Sequence, residues 1–352
     1  MNRCTTYSRK ASASFMAREQ PHISLSLVVP VWNTPIPFLD EGVSPFQGSI
    51  RDERVELIIV DDGSNPDVAS YLDSLTFTVP AVIIHQDNRG QSIARQTGIR
   101  KAHGDYIGFL DSDDYISLDA LHDILNVVVG NDADIIAFRG ERVDACGRRV
   151  IGEVGWKNGP SLKREYVRNC AELWMQFIRR RFYLEQSEPF AYEGICVGED
   201  LATIVPLVIR ANSIEYVDIN LYRYRQQEGS VLHSMDFEHR LSVLDAFDHI
   251  LDELTDSELN AYHNEIEWQA INHLLNYETR VQLKDGFLGL RRARALGSWV
   301  DKHFVHWRGN PFIKQELKRQ GVALRLSIRR CLRTIMLYQR VMILLKRGGH
   351  GN

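Results

Sequence analysis

The chain has 352 residues, 44% of them hydrophobic, and a formal net charge of -4. This length and composition predict a globular, soluble protein with one large domain and a smaller one, and the charge argues against a general nucleic-acid binder. No apolar run reaches the roughly 18 residues of a membrane-spanning helix, and no secretory signal is recognisable. The scattered cysteines lack zinc-site spacing, which predicts reduced thiols and a cytosolic protein: Cys4, Cys146, Cys170, Cys196 and Cys331.

Short apolar runs alternate with polar loops in the first part of the chain. Residues 1–22 are polar and aperiodic, and we expect a loose arm there. Residues 23–30, 55–60 and 81–85 have the character of strands, and residues 93–102 follow a helical pattern. Strands that alternate with helices at this spacing predict βαβ units and a mainly parallel sheet with helices on both faces.

Residues 104–114 carry the clearest signal of a site. An apolar strand at 106–110 runs directly into Asp111, Asp113 and Asp114. Carboxylates this close repel one another unless a positive group lies among them, and oxygen ligands suit Mg²⁺ or Mn²⁺. We therefore interpret residues 111–113 as a D-x-D metal site. The alternative is an acidic turn that caps the following segment.

Other predicted strands bring polar groups to the same place, because the carboxyl ends of parallel strands meet at one edge of a sheet. A capping role explains one acidic loop but not acids at the ends of two strands, so we favour a binding site. The side chains expected at this edge are Asn33, Asp61, Asp62, Asn88, Asp111 and Asp113.

The middle of the chain is less regular. Residues 133–138 predict a strand, 166–181 follow a helical period with Trp174 in the core, and 214–217 and 221–225 predict two short strands. Glu199 and Asp200 begin an apolar helix pattern. Acids in a first helical turn also favour the helix dipole by about 0.3–1 kcal/mol, so this pair has a purely structural explanation too.

A change in composition near residue 236 marks the start of a helical C-terminal region. Residues 314–347 combine many basic residues with interleaved apolar ones. That composition suits an interfacial helix on an anionic membrane surface. The basic face of an ordinary helix that docks on the acidic remainder of the protein explains it equally well.

Five motifs occur in an order that resembles the family 2 glycosyltransferases, which are inverting enzymes with the GT-A fold. They are VPVWN at 29–33, VDDGS at 60–64, NRGQSIARQ at 88–96, FLDSDD at 109–114 and GED at 198–200. The resemblance implies an α/β, Rossmann-like GT-A domain at 23–235, with a nucleotide-sugar half at 23–114 and an acceptor half at 115–235. A helical C-terminal region would occupy 236–352. Gln96 stands where the family more often has Asn.

The resemblance also implies roles for individual residues. Asp113, with Asp111 close by, would hold Mn²⁺ or Mg²⁺, and Asp200 would be the catalytic base with Glu199 beside it. His233 or Arg225 stands near the position where some members have a third metal ligand, a histidine. The residues expected to contact the nucleotide sugar are Pro30, Val31, Trp32, Asp61, Asp62, Asn88, Arg95, Asp111, Ser112 and Arg225.

The implied reaction is transfer from a nucleotide diphosphate sugar to a saccharide or a lipid-linked saccharide, and the resemblance favours a UDP-sugar as the donor. The product would be a cell-surface or exported polysaccharide, made at the cytosolic face of the membrane. One alternative is a metal-dependent nucleotidyltransferase, although residues 28–33 lack the glycine-rich phosphate loop or the lysine that such enzymes use. The other is a catalytically silent scaffold of a polysaccharide assembly complex.

Overall fold

The computed structural model describes residues 22–144, 147–151, 156–169, 172–186, 194–226 and 236–339. Several predictions fall outside these ranges: the N-terminal arm up to residue 21, the segment 227–235 that contains His233, and the basic segment from residue 340 onward.

Nine strands in the described part of the chain form one sheet. Its order is β3-β2-β1-β4-β8-β6-β9-β5, and β7 pairs with β6. The strands are β1 (Leu25–Val31), β2 (Val55–Asp62), β3 (Ala81–Gln86), β4 (Tyr106–Phe109), β5 (Tyr115–Ile116), β6 (Ile135–Val143), β7 (Arg149–Ile151), β8 (Gln176–Arg179) and β9 (Ile214–Arg225).

The first half of the sheet is parallel. β1 pairs in parallel with β2 and β4, and β2 pairs in parallel with β3. β1 and β2 are buried along their whole length, as expected for strands covered on both faces. Beyond β4 the pairing is mixed, because β8 is antiparallel to β4 and β6 while β6 and β9 are parallel. The predicted α/β fold is confirmed.

Helices flank the sheet, and local sequence explains how two of them begin or pack. The side chain of Asn65 caps α3 by accepting hydrogen bonds from the backbone of Asp67 and Val68. Gly98 lets α4 approach β1, since a Cβ there would lie 2.4 Å from Cγ1 of Val28. The helices are α1 (Ile36–Val43), α2 (Pro45–Gly48), α3 (Pro66–Ser74), α4 (Gln91–Lys101), α5 (Leu118–Val128), α6 (Leu162–Asn169), α7 (Arg180–Leu184) and α8 (Glu199–Arg210).

Two predictions for the middle of the chain are wrong. The helical pattern at 166–181 covers the end of α6, a 3₁₀ turn at Leu173–Met175, β8 and the start of α7. Phe177 and Ile178 of β8 are buried between β4 and β6, so sheet pairing overrides the helical period. The two strands expected at 214–217 and 221–225 are one strand, β9, whose pairing with β6 shifts register near Arg139.

The C-terminal region is helical, as predicted. It packs on the face of the sheet covered by α6 and α8, and Phe247, Trp268 and Leu324 share one large core with Val28 and Ile58 of the sheet. No helix within the described ranges is both long and apolar enough to cross a membrane. The helices are α9 (Val243–Glu253), α10 (Asp256–Ala261), α11 (His263–Ala270), a π-helix (Ile271–Glu278), α12 (Thr279–Gln282), α13 (Gly286–His303) and α14 (Pro311–Ile328). Residues 332–339 form a last helical segment.

Candidate active site

The loops after β1, β2 and β3 are joined at the carboxyl edge of the sheet. The side-chain oxygen of Asn33 accepts hydrogen bonds from the backbone and side-chain nitrogens of Asn65 at 2.8 and 2.9 Å. The backbone N–H of Asn33 donates to Oγ of Ser64 at 3.0 Å. Gly63 has a positive φ of 74° and lies against Asn88, where a Cβ would come within 2.8 Å of the Asn88 backbone nitrogen. The loops predicted to meet at one edge therefore do so.

Asp62, at the end of β2, is buried and organises the loop after β3. Its carboxylate accepts hydrogen bonds from Nε2 of Gln86 at 2.7 Å and from the backbone N–H groups of Arg89 and Gly90 at 3.0 and 2.8 Å. Asp62 thus holds in place the loop that leads into α4.

Asp61 is also buried, and its carboxylate is oriented by a histidine. Oδ2 of Asp61 lies 2.7 Å from Nδ1 of His85, and Oδ1 accepts from the backbone N–H of Ser64 at 2.9 Å. Nε2 of His85 lies 3.2 Å from Oδ1 of Asp73. The hydrogen bond with Asp61, aided by Asp73, raises the pKa of His85 above its ordinary value.

Residues of β9 form hydrogen bonds with the acidic turn after β4, which comprises residues 111–114. The hydroxyl of Tyr222 accepts a hydrogen bond from the backbone N–H of Asp111 at 3.0 Å and donates to Oδ2 of Asp114 at 2.9 Å. The backbone N–H of Arg225 donates to Oδ1 of Asp114 at 2.6 Å. Asp114 is buried, whereas Asp111 and Asp113 are partly exposed. Asp114 therefore fixes the turn, and Asp111 and Asp113 face the site.

Arg225, which was expected to contact the nucleotide sugar, packs against this turn. Its Nε donates to the backbone carbonyl of Asp113 at 3.0 Å, and Nη2 pairs with Glu41 at 2.6 Å. Its guanidinium lies over the rings of Phe38 and Tyr115, 4.8 and 5.3 Å from their centres. In this structure Arg225 positions the backbone of the D-x-D turn.

Arg95 of α4 connects the acidic turn with the start of α8. Its Nη2 donates to Oδ1 of Asp111 at 2.9 Å, and its Nη1 donates to Oδ1 of Asp200 at 2.5 Å. Nη1 also lies 3.9 Å from a carboxylate oxygen of Glu199. Arg95 is only 1% exposed. One buried guanidinium therefore joins Asp111 to Glu199 and Asp200, which lie nearly ninety positions later in the sequence.

Burial and mutual repulsion shift the protonation of the carboxyl groups. Burial, followed by the charge of Asp200, raises the pKa of Glu199 to about 8. Burial also raises the pKa of Asp200, while Arg95 opposes the shift. Burial and the charge of Asp111 raise the pKa of Asp113 to about 6. Near neutral pH, Glu199 is thus the group best suited to carry a proton, while the contact with Arg95 favours the ionised form of Asp200.

The donor set of the acidic turn fits a hard divalent cation. Asp111 and Asp113 are partly exposed carboxylates on one turn, and burial together with the charge of Asp111 raises the pKa of Asp113. A cation at this place would relieve the repulsion, and diphosphate oxygens and water could complete its shell. Within the ranges that the structure describes, no three His, Cys, Asp or Glu side chains are arranged to hold a metal ion.

Comparison with known proteins identifies the family. Residues 26–195 match the family model described as Glycosyl transferase family 2. These residues form a domain of this family. The uncharacterized glycosyltransferase EpsJ of Bacillus subtilis is 28% identical over 218 residues, which cover 59% of this chain and 62% of EpsJ. Glycosyltransferase GlyG of Streptococcus pneumoniae is 28% identical over 221 residues, which cover 59% of this chain and 72% of GlyG.

Solved structures show the same fold. The crystal structure of S. aureus TarS 1-349 has a TM-score of 0.63 at 17% identity, and the match covers 90% of this chain and 91% of TarS 1-349. The same protein in complex with UDP-GlcNAc has a TM-score of 0.55 at 18% identity, over 85% of this chain and 92% of the other. The predicted GT-A fold with a helical C-terminal region is therefore confirmed.

The remaining predicted donor contacts of this family 2 chain lie at the same sheet edge. Pro30 and Val31 form the end of β1 and are buried, while the side chain of Trp32 is half exposed beyond them. Oγ of Ser112 lies 2.5 Å from Oγ1 of Thr34, which ties the acidic turn to the loop after β1. These residues lie on neighbouring loops at the carboxyl edge of the sheet, and their contacts with a nucleotide remain predictions.

Tyr222 is a site residue that the sequence reasoning missed. It stacks on Trp174 with ring centres 4.4 Å apart, and Trp174 also stacks on Tyr224 at 5.7 Å. Trp174 is buried, as predicted. Tyrosine and arginine alternate at 222–225, which places Tyr222 and Tyr224 on one face of a strand, and this pattern could have indicated their role.

The helical C-terminal region supports the start of α8. Oγ of Ser242 accepts hydrogen bonds from the backbone N–H groups of Cys196 and Val197, both at 3.0 Å. Gly198 precedes α8 with a φ of 90°, and a Cβ there would lie 3.0 Å from the Cβ of Ala246 on α9. The position of Glu199 and Asp200 thus depends on packing against α9.

Proposed function

We propose that the protein is an inverting glycosyltransferase that moves a sugar from a UDP-sugar to an acceptor hydroxyl. The observation that carries this proposal is the Arg95 bridge, because it brings Asp111 of the acidic turn and Asp200 of α8 together at one place. TarS, whose structures with UDP-GlcNAc and UDP are known, has the same fold, which supports a uridine nucleotide as the donor.

Asp200 is the proposed general base. Inversion requires attack from the face opposite the nucleotide by a hydroxyl that loses its proton as the new bond forms. The contact with Arg95 favours the ionised form of Asp200, and its Oδ2 also accepts a hydrogen bond from the backbone of Leu173 at 3.3 Å. Glu199, with its raised pKa, is proposed to orient the acceptor by donating a hydrogen bond while it holds its proton.

Asp113 and Asp111 are proposed to hold Mn²⁺ or Mg²⁺. When bound, such a cation supplies Lewis-acid stabilisation of the negative charge on the departing diphosphate. The chain's own contribution is to place the two carboxylates, through the contacts of Tyr222 with the backbone of Asp111 and of Arg225 with the carbonyl of Asp113. On the other side of the cleft, Asp61 and Asp62 with the end of β1 are proposed to receive the nucleoside.

The proposed acceptor is a saccharide, free or linked to a lipid, that is extended into a surface or exported polysaccharide at the cytosolic face of the membrane. The family resemblance of the motifs supports this. The basic composition of residues 314–347 is compatible with work at an anionic membrane surface.

Two variants test the proposal. Asp113→Ala should abolish transfer and remove the metal-dependent part of UDP binding, measured by calorimetry with Mn²⁺ and with Mg²⁺. Asp200→Asn should retain UDP binding and reduce transfer by roughly 10²–10⁴-fold, as expected for loss of a general base. Asp119→Asn, on the exposed side of α5, is the matched control and should retain both properties.

The same assays separate the alternatives. A parent protein that turns over none of a panel of UDP-, GDP- and dTDP-sugars, with saccharide acceptors present, would favour the silent scaffold. Release of pyrophosphate from a nucleoside triphosphate would favour a nucleotidyltransferase. Equal transfer rates for Asp200→Asn and the parent would remove Asp200 from the role of base.

A further inference from the structure

Four large apolar side chains protrude at one end of the helical C-terminal region. Phe287 and Leu288, in the first turn of α13, are 85% and 66% exposed. Leu337 and Tyr338, in the helical segment 332–339, are 64% and 37% exposed. We call these four side chains the apolar patch. Exposed single apolar residues are common, but a group of large ones on neighbouring helices indicates an interaction surface.

The two halves of the patch belong together because their helices pack on each other. Ile335 is buried in a small cluster with Leu283 and Leu290, which lie on either side of Phe287 in the sequence. Nε2 of Gln339 donates to the backbone carbonyl of Arg280 at 2.8 Å. The segment 332–339 therefore lies across the start of α13, and Leu337 and Tyr338 emerge beside the cluster that Phe287 and Leu288 flank.

The surroundings of the patch are basic. Lys284, Arg291, Arg294 and Arg333 are all exposed, and Arg291 and Arg294 follow Phe287 along the same exposed face of α13. Residues 286–339 contain twelve Lys or Arg but only two acidic residues, and Asp285, just before them, is paired with Arg292.

Both acidic residues of this segment are already paired. Asp301 binds Arg330 at 2.5 Å, and the buried Glu316 binds Arg319 at 2.7 Å. Neither neutralises the exposed arginines of α13, so the positive charge around the patch is available to an anionic partner.

The face of α14 expected to contact a membrane is not available for that role. Leu324 is completely buried, and Ile313 and Ile328 pack with it into the large core. For residues 314–328, the ordinary docked helix is therefore the correct alternative. The exposed apolar surface lies instead at the start of α13 and on the segment 332–339.

We propose that the apolar patch binds the surface of an anionic phospholipid membrane together with its basic rim, which consists of Lys284, Arg291, Arg294 and Arg333. Aromatic and aliphatic side chains at a helix end can enter the headgroup region while the arginines contact lipid phosphates. Charge selects this partner over a second copy of the chain, because two patches face to face would bring two basic rims together. This surface is additional to the proposed transferase site.

Vesicle flotation of the full chain tests the proposal. The parent should float with vesicles that contain phosphatidylglycerol and phosphatidylcholine, and not with phosphatidylcholine alone. The double variant Phe287→Ser with Leu288→Ser should bind roughly tenfold more weakly, and so should Arg291→Gln with Arg294→Gln, because each removes part of the apolar or electrostatic attraction. Val305→Ser, at a 76% exposed valine outside the patch, and Lys101→Gln with Arg181→Gln are the matched controls and should bind like the parent.

Three results would overturn the proposal. They are failure of the parent to bind anionic vesicles, equal loss of binding in the controls, and parent-like binding by both patch variants. Sedimentation in the absence of lipid is a further check, because a parent dimer that the Phe287 and Leu288 changes convert to a monomer would identify a self-association surface instead. UDP-sugar hydrolysis without vesicles should be unchanged in all patch variants, so failure here is distinguishable from failure of the proposed activity.

Discussion

Nη1 of Arg95 lies 2.5 Å from Oδ1 of Asp200, across 105 positions of sequence. The other terminal nitrogen of the same guanidinium binds Asp111. The planar, two-pronged guanidinium can satisfy both carboxylates at once, which a lysine ammonium does less well. Arg95 is therefore a positioning residue that sets the distance between the acidic turn and the start of α8.

Replacing Arg95 should affect both stability and transfer. Arg95→Met leaves Asp111 and Asp200 without their buried cation and should lower the free energy of unfolding by about 3–5 kcal/mol, measured by urea denaturation. Arg95→Lys keeps the charge but not the double contact, so its loss of stability should be smaller and its transfer rate still low. Lys101→Met, an exposed change on the same helix, is the control. Parent-like stability of Arg95→Met would contradict the bridge.

The gathering of acids at one sheet edge could be predicted from the sequence, because it depends only on parallel strands and their order along the chain. Asp61, Asp62 and Asp111 each follow an apolar run, and the sheet brings those ends together. Position along the chain was enough for this part of the site.

The partners of those acids could not be predicted in the same way. Arg95 and Arg225 were expected to contact the nucleotide sugar, and the sequence did not indicate that carboxylates or carbonyls from distant segments bind both side chains. Such contacts depend on how α4 and β9 pack, which no local pattern specifies. A short apolar segment such as β8 is compatible with a helix or a strand when only its sequence is considered. It forms a strand because it pairs with β4 on one side and β6 on the other.

The close approach of α4 to β1 is testable at Gly98. Gly98→Ala should lower the free energy of unfolding by about 1–3 kcal/mol, since the new methyl would lie 2.4 Å from Cγ1 of Val28. Gly48→Ala, where nothing lies within 4 Å, is the control and should not destabilise the protein. Adding Val28→Ala to Gly98→Ala should recover part of the loss if contact with Val28 is the cause. An additive double variant would exclude that contact.

The His85 contact with Asp61 predicts a pH-dependent effect on nucleotide binding. His85→Ala removes the partner that orients Asp61 and should weaken UDP binding by roughly tenfold, measured by calorimetry. Asp61 raises the pKa of His85, so the charged contact is present below the ordinary value of 6.5 and is lost as the pH rises through the raised value. The difference in UDP affinity between His85→Ala and the parent should therefore become smaller as the pH rises. Asp73→Ala keeps the Asp61 contact and should have a smaller effect.

Glu199 predicts how stability changes with pH. Its pKa is raised from 4.5 to about 8 by burial and by Asp200. Between these values the folded state binds more protons at this group than the unfolded state, so raising the pH destabilises the parent. Glu199→Gln removes this titrating group. Between pH 4.5 and about 8, the free energy of unfolding of the variant should therefore fall less steeply with pH than that of the parent, and the slopes should differ by up to about 1.4 kcal/mol per pH unit.

Urea denaturation across the same pH range measures the Glu199 effect. The matched control is Glu53→Gln, an exposed change at the opposite edge of the sheet, just before β2. Its pH profile should follow that of the parent. If Glu199→Gln and the parent have parallel profiles, Glu199 is ionised in the folded protein near neutral pH. It could then not donate a hydrogen bond to the acceptor, and the orienting role proposed for it would have to be abandoned while that of Asp200 as base would stand.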